Sequence, residues 1–322
     1  MRFLTALSFA ALFGAAAIPH AAIAQEFPSR TIRVIANQSA GGISDVFIRA
    51  VAEELHKRWG QPVIVENRPG GRENIGVKAC QDSAPDGYTV CILYSDALVY
   101  NPHLFKKLPF DINGVEPVTN LFSILQTMVV SSALNVKTLD ELIALSKAKP
   151  GTLNYTTPVY AAVLMMSRLQ KEKGADWVRV PFKGGADAVT GVLSGTTPIT
   201  MLGEGNVTSQ IRAGTMTPLA MLNNVRSETF PDVPTLKEAG YDGPPSKAWF
   251  GLFVPAGVPR AIIDRYASEV ASIVREPAFA AKNLKARSLI SALNTPEEFA
   301  KEIAQDRAVA EQVVKDAGIE PQ

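Results

Sequence analysis

The stretch Thr31-Ile32-Arg33-Val34-Ile35-Ala36, running on into Asn37-Gln38-Ser39-Ala40-Gly41-Gly42-Ile43-Ser44-Asp45, decides the fold. Its first six residues are mostly β-branched or apolar and predict a strand. From Asp45 to Trp59 the residues Val46, Phe47, Ala50, Val51 and Leu55 recur at helical spacing. Pro62-Val63-Ile64-Val65-Glu66 then predicts a second strand, closed by the turn Asn67-Arg68-Pro69-Gly70. The same alternation continues outward. Tyr88 to Leu93 reads as a strand, as do Trp177 to Pro181, Pro198 to Leu202 and Pro218 to Leu222. Thr138-Leu139-Asp140-Glu141 is a capping box that opens a helix to about Ala148, stopped by Pro150-Gly151. Thr295-Pro296-Glu297-Glu298 is another, with proline at the first helical position of a long C-terminal helix.

Strands and helices of these lengths in alternation predict an α/β protein with mainly parallel sheets covered by helices on both faces. The 322 residues suffice for two such units, each able to bury its own core. No Gly/Ser-rich linker separates two halves. Several chain crossings at a hinge would join them instead, with a cleft between that closes by rigid-body motion.

Composition excludes several classes. With 47% hydrophobic and 20% charged residues the chain is neither disordered nor collagenous, and two cysteines do not make a disulfide miniprotein. Lys plus Arg total 32 against 31 Asp plus Glu. That balance gives no broad basic field for nucleic acid or for an anionic membrane.

Residues 1–24 read as a secretory signal: Arg2, an apolar run from Phe3 to Ile18, and Ala22-Ile23-Ala24 before Gln25. The run is shorter than the roughly 20 residues of a membrane span. No cysteine follows for a lipid anchor. An exported, periplasmic protein starting at Gln25 is expected.

Cys80 and Cys91 are the only cysteines. An oxidising compartment permits a bridge between them; two buried thiols on neighbouring elements are the alternative. Their spacing fits neither a zinc site nor a C-x-x-C redox pair.

Ligands of open α/β sheets bind where strands end and helices begin. In Ala40-Gly41-Gly42-Ile43-Ser44-Asp45 the glycines allow close backbone approach, and the following helix offers unpaired N–H groups and a positive dipole end to an anion. A plain glycine turn with a Ser44 or Asp45 cap is the simpler reading. Lys183-Gly184-Gly185 and Tyr155-Thr156-Thr157-Pro158-Val159-Tyr160 are two further loops of this type. Catalytic motifs are absent: no G-x-S-x-G, H-E-x-x-H, P-loop or dinucleotide glycine motif occurs. His56 and His103 have no nucleophile or metal partner nearby in sequence. No cofactor and no metal site is expected.

Taken together, these segments resemble the extracytoplasmic solute receptors of tripartite tricarboxylate transporters, the Bug or TctC family. The resemblance covers nearly all of the chain after residue 24. It is carried in order by Phe27 to Ile35, Ala40 to Asp45, Gly60 to Gly70, Asn74-Ile75-Gly76, Ala84 to Thr89, Asn101-Pro102, Leu108 to Asp111, Lys149 to Tyr155, Val180 to Gly184, Pro231 to Thr235 and Trp249 to Gly257. It implies a two-domain periplasmic binding protein of the type II-like kind with two crossing strands, near Thr127–Ser131 and Trp249–Phe253. One domain would hold residues 25–126 plus 247–322, the other 127–246. The family clamps a ligand carboxylate between two loops. The first is intact as Ala40–Asp45.

The rest departs from the family pattern. The second clamp loop, with Thr156, Thr157 and Tyr160, lacks the usual glycines and the His-Leu pair. Leu202-Gly203-Glu204-Gly205-Asn206 replaces an Asp-Asn pair followed by Pro, and Ser95-Asp96 replaces a stretch favouring Ser, Thr and His. Lys183, Gly184 and Trp249 complete the expected binding set. Asp96 and Glu204 would bring negative charge near the cleft, although unpaired acids ordinarily face solvent. The expected function is capture of a small organic acid by a monomeric receptor that delivers it to membrane permease subunits; an aromatic or nitrogen-bearing acid in place of a bare dicarboxylate is a variant of that reading. A receptor that presents its solute to a sensor kinase needs the same cleft. An exported enzyme is the remaining alternative.

Overall fold

A computed structural model describes residues 27–157, 159–180, 185–241 and 247–322. The expected signal segment, Pro158, Lys183 and Gly184 lie outside the described residues. Among the described residues there are two sheets. The first contains β1 (Ile32–Ala36), β2 (Val63–Asn67), β3 (Thr89–Tyr94), β4 (Val115–Ile124), β10 (Trp249–Pro255) and β11 (Leu289–Ser291), in the order β11-β4-β10-β3-β1-β2. The second contains β5 (Gln126–Ser131), β6 (Asn154–Thr156), β7 (Val178–Arg179), β8 (Ile199–Gly203) and β9 (Met216–Met221), in the order β7-β6-β8-β5-β9. Against the first sheet lie α1 (Ile43–Trp59), α2 (Asn74–Gln81), α3 (Ser95–Val99), α4 (Asn101–Leu104), α9 (Arg260–Arg275), α10 (Pro277–Asn283) and α11 (Pro296–Asp316). The second sheet carries α5 (Leu139–Ala148), α6 (Tyr160–Lys173), α7 (Gly185–Leu193) and α8 (Thr208–Arg212).

The opening stretch is a strand because both its faces are buried. Ile32, Val34 and Ala36 pack with Phe47, Val51 and Leu55 of α1, while Ile35 packs with Leu93 and the two cysteines on the other side. Adjacent side chains point to opposite faces, so one apolar strand joins two cores. The helix begins at Ile43, two residues before the sequence reading, because the glycine pair completes its turn within the loop. Both capping readings hold at their Ser/Thr-type caps. The Thr138 hydroxyl accepts from the Glu141 N–H, and Thr295 with Glu298 forms the full reciprocal box.

The sheets are mixed rather than mainly parallel. β1 runs parallel to β2 and β3, and β6 to β7 and β8, whereas β3–β10, β10–β4, β4–β11, β5–β8 and β5–β9 are antiparallel. The antiparallel strands are those next to the crossings: one strand leaves a lobe where another returns, so their directions oppose. The first crossing is the single residue Leu125, between β4 and β5. Thr127–Ser131 therefore belongs wholly to the second sheet. The return runs from Met221 to Trp249.

Cys80 at the end of α2 and Cys91 in β3 are joined by a disulfide, with Cα atoms 6.1 Å apart. Both are fully buried. Closing so short a loop removes unfolded-state freedom worth about 3 kcal/mol. The Cys80→Ala/Cys91→Ala double variant should lose roughly that much stability in urea unfolding. A loss below about 0.5 kcal/mol would show that the bridge constrains nothing.

Candidate functional site

Strand ends of both sheets open onto one cavity of about 390 Å³. From the first lobe Gln38, Gly41, Gly42, Ile43, Glu73, Tyr94 and Phe250 line it. From the second come Val159, Gly185, Leu202, Gly203 and Asn206, with Ile124 and Gln126 beside the crossing. This is where an open α/β sheet is expected to hold a ligand, and the size suits a small molecule. A larger cavity of about 490 Å³, with Tyr100, Leu164, Arg168, Tyr241 and Val313 in its walls, is bounded mostly by helix sides rather than strand ends.

The first clamp loop is braced from behind. Asp45 accepts from the Gly41 N–H at 2.9 Å, from Arg49 Nε at 3.0 Å and from Asn67 Nδ2 at 2.9 Å. Burial raises the Asp45 pKa, but the bonds from Arg49, Gly41 and Asn67 outweigh it and hold the carboxyl below its ordinary value. Asp45 thus fixes the loop. Gly41 sits at φ +80°, where a side chain would be strained. The opening N–H groups of α1 have no carbonyl of their own helix to bond. Ser44, in that first turn, is buried with its hydroxyl unpartnered. A Cβ at Gly76 would lie 2.4 Å from the Asn37 Cβ, so only glycine lets α2 pack this tightly on the end of β1.

On the second lobe Gly203 lines the cavity, and Thr156 is buried with an unpartnered hydroxyl. The Thr157 hydroxyl is committed within its own lobe: it donates to the Met201 carbonyl at 2.7 Å and accepts from the Val159 N–H at 3.0 Å. It has no proton left for a ligand. Trp249 lies in the core, its ring against Phe299 and its Nε1 donating to Asp306 at 3.0 Å. Its neighbour Phe250 faces the cavity instead, because successive strand residues alternate faces. Ser95 accepts from the Trp249 N–H behind the site.

The expectation that unpaired acids face solvent fails for both candidates. The Glu204 carboxylate is fully buried without a hydrogen-bond partner among the described residues, and Glu204 is not among those lining the cavity. Asp96 is buried where the lobes meet, accepting from the Tyr160 N–H at the start of α6. The Arg72 guanidinium lies over the Tyr160 ring at 4.6 Å, and Tyr100 packs on the same ring at 5.9 Å. Tyr160 is therefore a contact between lobes. Gln38, Glu73, Tyr94, Ile124, Gln126, Asn206 and Phe250 were not picked out from the sequence. Gln38, Asn206 and Phe250 stood within stretches read from the sequence; Glu73, Tyr94, Ile124 and Gln126 had no signal of their own.

Burial and then the charge of Glu73 push the Asp96 carboxyl up to about 7, against the opposing effects of the Tyr160 N–H and Arg72. Folding thus favours its protonated form. That contribution is complete below about pH 4 and is lost as pH rises through about 7. The melting temperature of the unliganded protein should fall by several degrees between about pH 5 and pH 8. Asp96→Asn should flatten the trend. Calorimetry showing the same slope in both proteins would exclude Asp96 as its source.

Among the described residues no helix is long and apolar enough to cross a membrane, and no group of three or more His, Cys, Asp or Glu side chains is placed to hold a metal ion. The model of the family described as tripartite tricarboxylate transporter family receptor matches residues 47–319. Protein BugT of Bordetella pertussis is 34% identical over 244 residues, 74% of this chain and 75% of that one. A solved structure described as a periplasmic transporter is 30% identical with a TM-score of 0.81, covering 91% of this chain and 99% of the other. MatC from Rhodopseudomonas palustris with bound malate is 25% identical with a TM-score of 0.78, covering 89% and 100%. A two-lobed fold of this kind and a family match over most of the sequence agree, and the chain belongs to the tripartite tricarboxylate transporter receptor family.

Proposed function

We propose that this protein captures a small organic acid in the cleft between its lobes and hands it to the membrane permease subunits of a tripartite tricarboxylate transporter. Residues 1–24 act as a cleaved signal, so the receptor works in the periplasm, as a monomer. Residues 25–126 with 247–322 form one moving body and 127–246 the other. The protein performs no reaction; affinity comes from hydrogen bonds made as the lobes close and exclude water.

One observation carries this reading. The cavity is bounded on one side by the glycine loop at the start of α1, whose N–H groups and dipole favour an anion. Two buried hydroxyls of the clamp segments, on Ser44 and Thr156, have no partner among the described residues, although neither is among the residues lining the cavity. Buried polar groups are costly unless something bonds them, and a ligand carboxylate accepts from hydroxyl and N–H alike. The malate held by MatC is an acid of this size. Gly41, Gly42, Ile43, Ser44, Thr156 and Gly203 form the clamp in this account.

Isothermal titration with malate and a panel of mono- and dicarboxylates tests it. Ser44→Ala removes one donor and Gly42→Val fills the cavity wall; each should weaken binding about tenfold or more, since 1.4 kcal/mol is a factor of ten. Unchanged affinity in both variants would remove the clamp assignment. Turnover of any bound acid would remove the receptor reading itself.

A further inference from the structure

The charge that reaches the cavity is neither that of Asp96 nor that of Glu204. It belongs to Glu73, the only acidic or basic side chain among the described residues lining the space. The turn before α2 delivers it there. Gly70, Gly71, Arg72 and Glu73 follow one another at φ 112°, 58°, 53° and 68°. Two non-glycine residues in succession rarely hold this conformation, and strain of this kind collects at functional sites. The turn also separates the two side chains. Arg72 lies over the Tyr160 ring at 4.6 Å and 6.0 Å from the Phe105 ring centre, and makes no ion pair with its neighbour among the described residues. Glu73 makes no ion pair among the described residues and is hydrogen-bonded to the Gln38 side chain.

Among the described residues, Arg72 is the one cation whose charge acts on Glu73, and it offsets only in part the burial that raises the Glu73 pKa. Asp96 and the Tyr94 ring both feel its charge and lie in the same corner of the first lobe. Asp45 is spent on Arg49 and Asn67. The second lobe adds Val159, Leu202, Gly203 and Asn206, none of them charged. The cavity therefore presents two unlike groups. The glycine loop and the start of α1 attract a carboxylate; Glu73 repels a second one and, bonded only by Gln38, can accept from a further donor.

Resting on the receptor reading above, we infer that Glu73 is a specificity-determining residue, which selects acids carrying an ammonium or other N–H donor over the corresponding bare acids. An acid with a nitrogen donor satisfies both groups at once. A plain dicarboxylate must bring its second negative group near Glu73 or turn it elsewhere, and discrimination of this sort comes as much from the repelled ligand as from the accepted one.

Matched pairs of probes test the inference: succinate and aspartate, glutarate and glutamate, adipate and 2-aminoadipate, benzoate and 4-aminobenzoate. Affinities are measured by titration calorimetry on the full chain after removal of any co-purified solute. In the wild type at least one amino member should bind ten times or more tighter than its partner. Glu73→Gln keeps the size and the bond to Gln38, and should weaken the amino member at least tenfold without weakening the bare acid. Glu73→Asp keeps the charge and should keep part of the preference. A wild type that binds the bare acids as well as their amino analogues overturns the inference without any variant being needed. So does a preference unchanged in Glu73→Gln, or one abolished equally by Gln and Asp. If none of the eight compounds binds the wild type, it is the carboxylate-receptor reading that fails.

Discussion

Everything in this molecule hangs on two chain crossings tied to each other. At Leu125 the chain steps from one sheet to the other in a single residue, and Asn223 of the returning segment bonds both sides of that step. Its Oδ1 accepts from the Gln126 N–H at 2.7 Å and its Nδ2 donates to the Ile124 carbonyl at 3.2 Å. The backbone adds Leu222 N–H to Gln126 O at 2.8 Å and Ile124 N–H to Ala248 O at 2.8 Å. The Leu125 carbonyl itself is taken by the Glu204 N–H at 2.7 Å. The first crossing is thus short, and the backbone groups beside it are hydrogen-bonded. Beside it, loops from two separate sheets meet around one small cavity.

The polar groups of the two lobes are of two kinds, satisfied and open. Asp45, Asn67 and Arg49 satisfy one another and hold the glycine loop rigid. Thr157 and Asp306 are likewise satisfied, by Met201 and Val159 in one case and by Lys247 and Trp249 in the other. The hydroxyls of Ser44 and Thr156 instead have no partner among the described residues, and Glu73, half-buried at the cavity, has Gln38 but no ion pair. Proteins seldom leave buried polar groups unbonded without a reason, because each costs on the order of 1–3 kcal/mol. A braced frame with a few open valences is what a preorganised binding site requires.

The Asp96–Tyr160 contact joins this arrangement to the hinge. It spans the lobes at the first N–H of α6, with Arg72 on the Tyr160 ring beside it. Arg72 and Glu73 leave one turn at positive φ, Arg72 to the Tyr160 ring and Glu73 to the cavity.

Much of this was legible in the residues alone. The β1–loop–α1 unit, the strands near Tyr88 and Pro198, and the capped helices at Thr138 and Thr295 were all readable, because period, caps and glycines act over a few neighbouring residues. The Gly41–Gly42 loop was readable for the same reason. What lies across space was not. The antiparallel pairing of β10 with β3 and β4 joins residues far apart in sequence, and no local pattern states a strand's direction. Trp249 and Phe250 are equally apolar neighbours, yet only their place on the sheet sends one into the core and the other into the cavity. Asp96 and Glu204 look like any surface acids until the second lobe or a neighbouring turn covers them. Glu73 carries no motif at all; only the turn from Gly70 and the opposing lobe bring it to the ligand space. The sequence by itself determined the elements and the first clamp loop, since those depend on near neighbours. Tertiary structure alone decided burial, pairing direction and charge at the site, since those depend on which distant segment excludes the water.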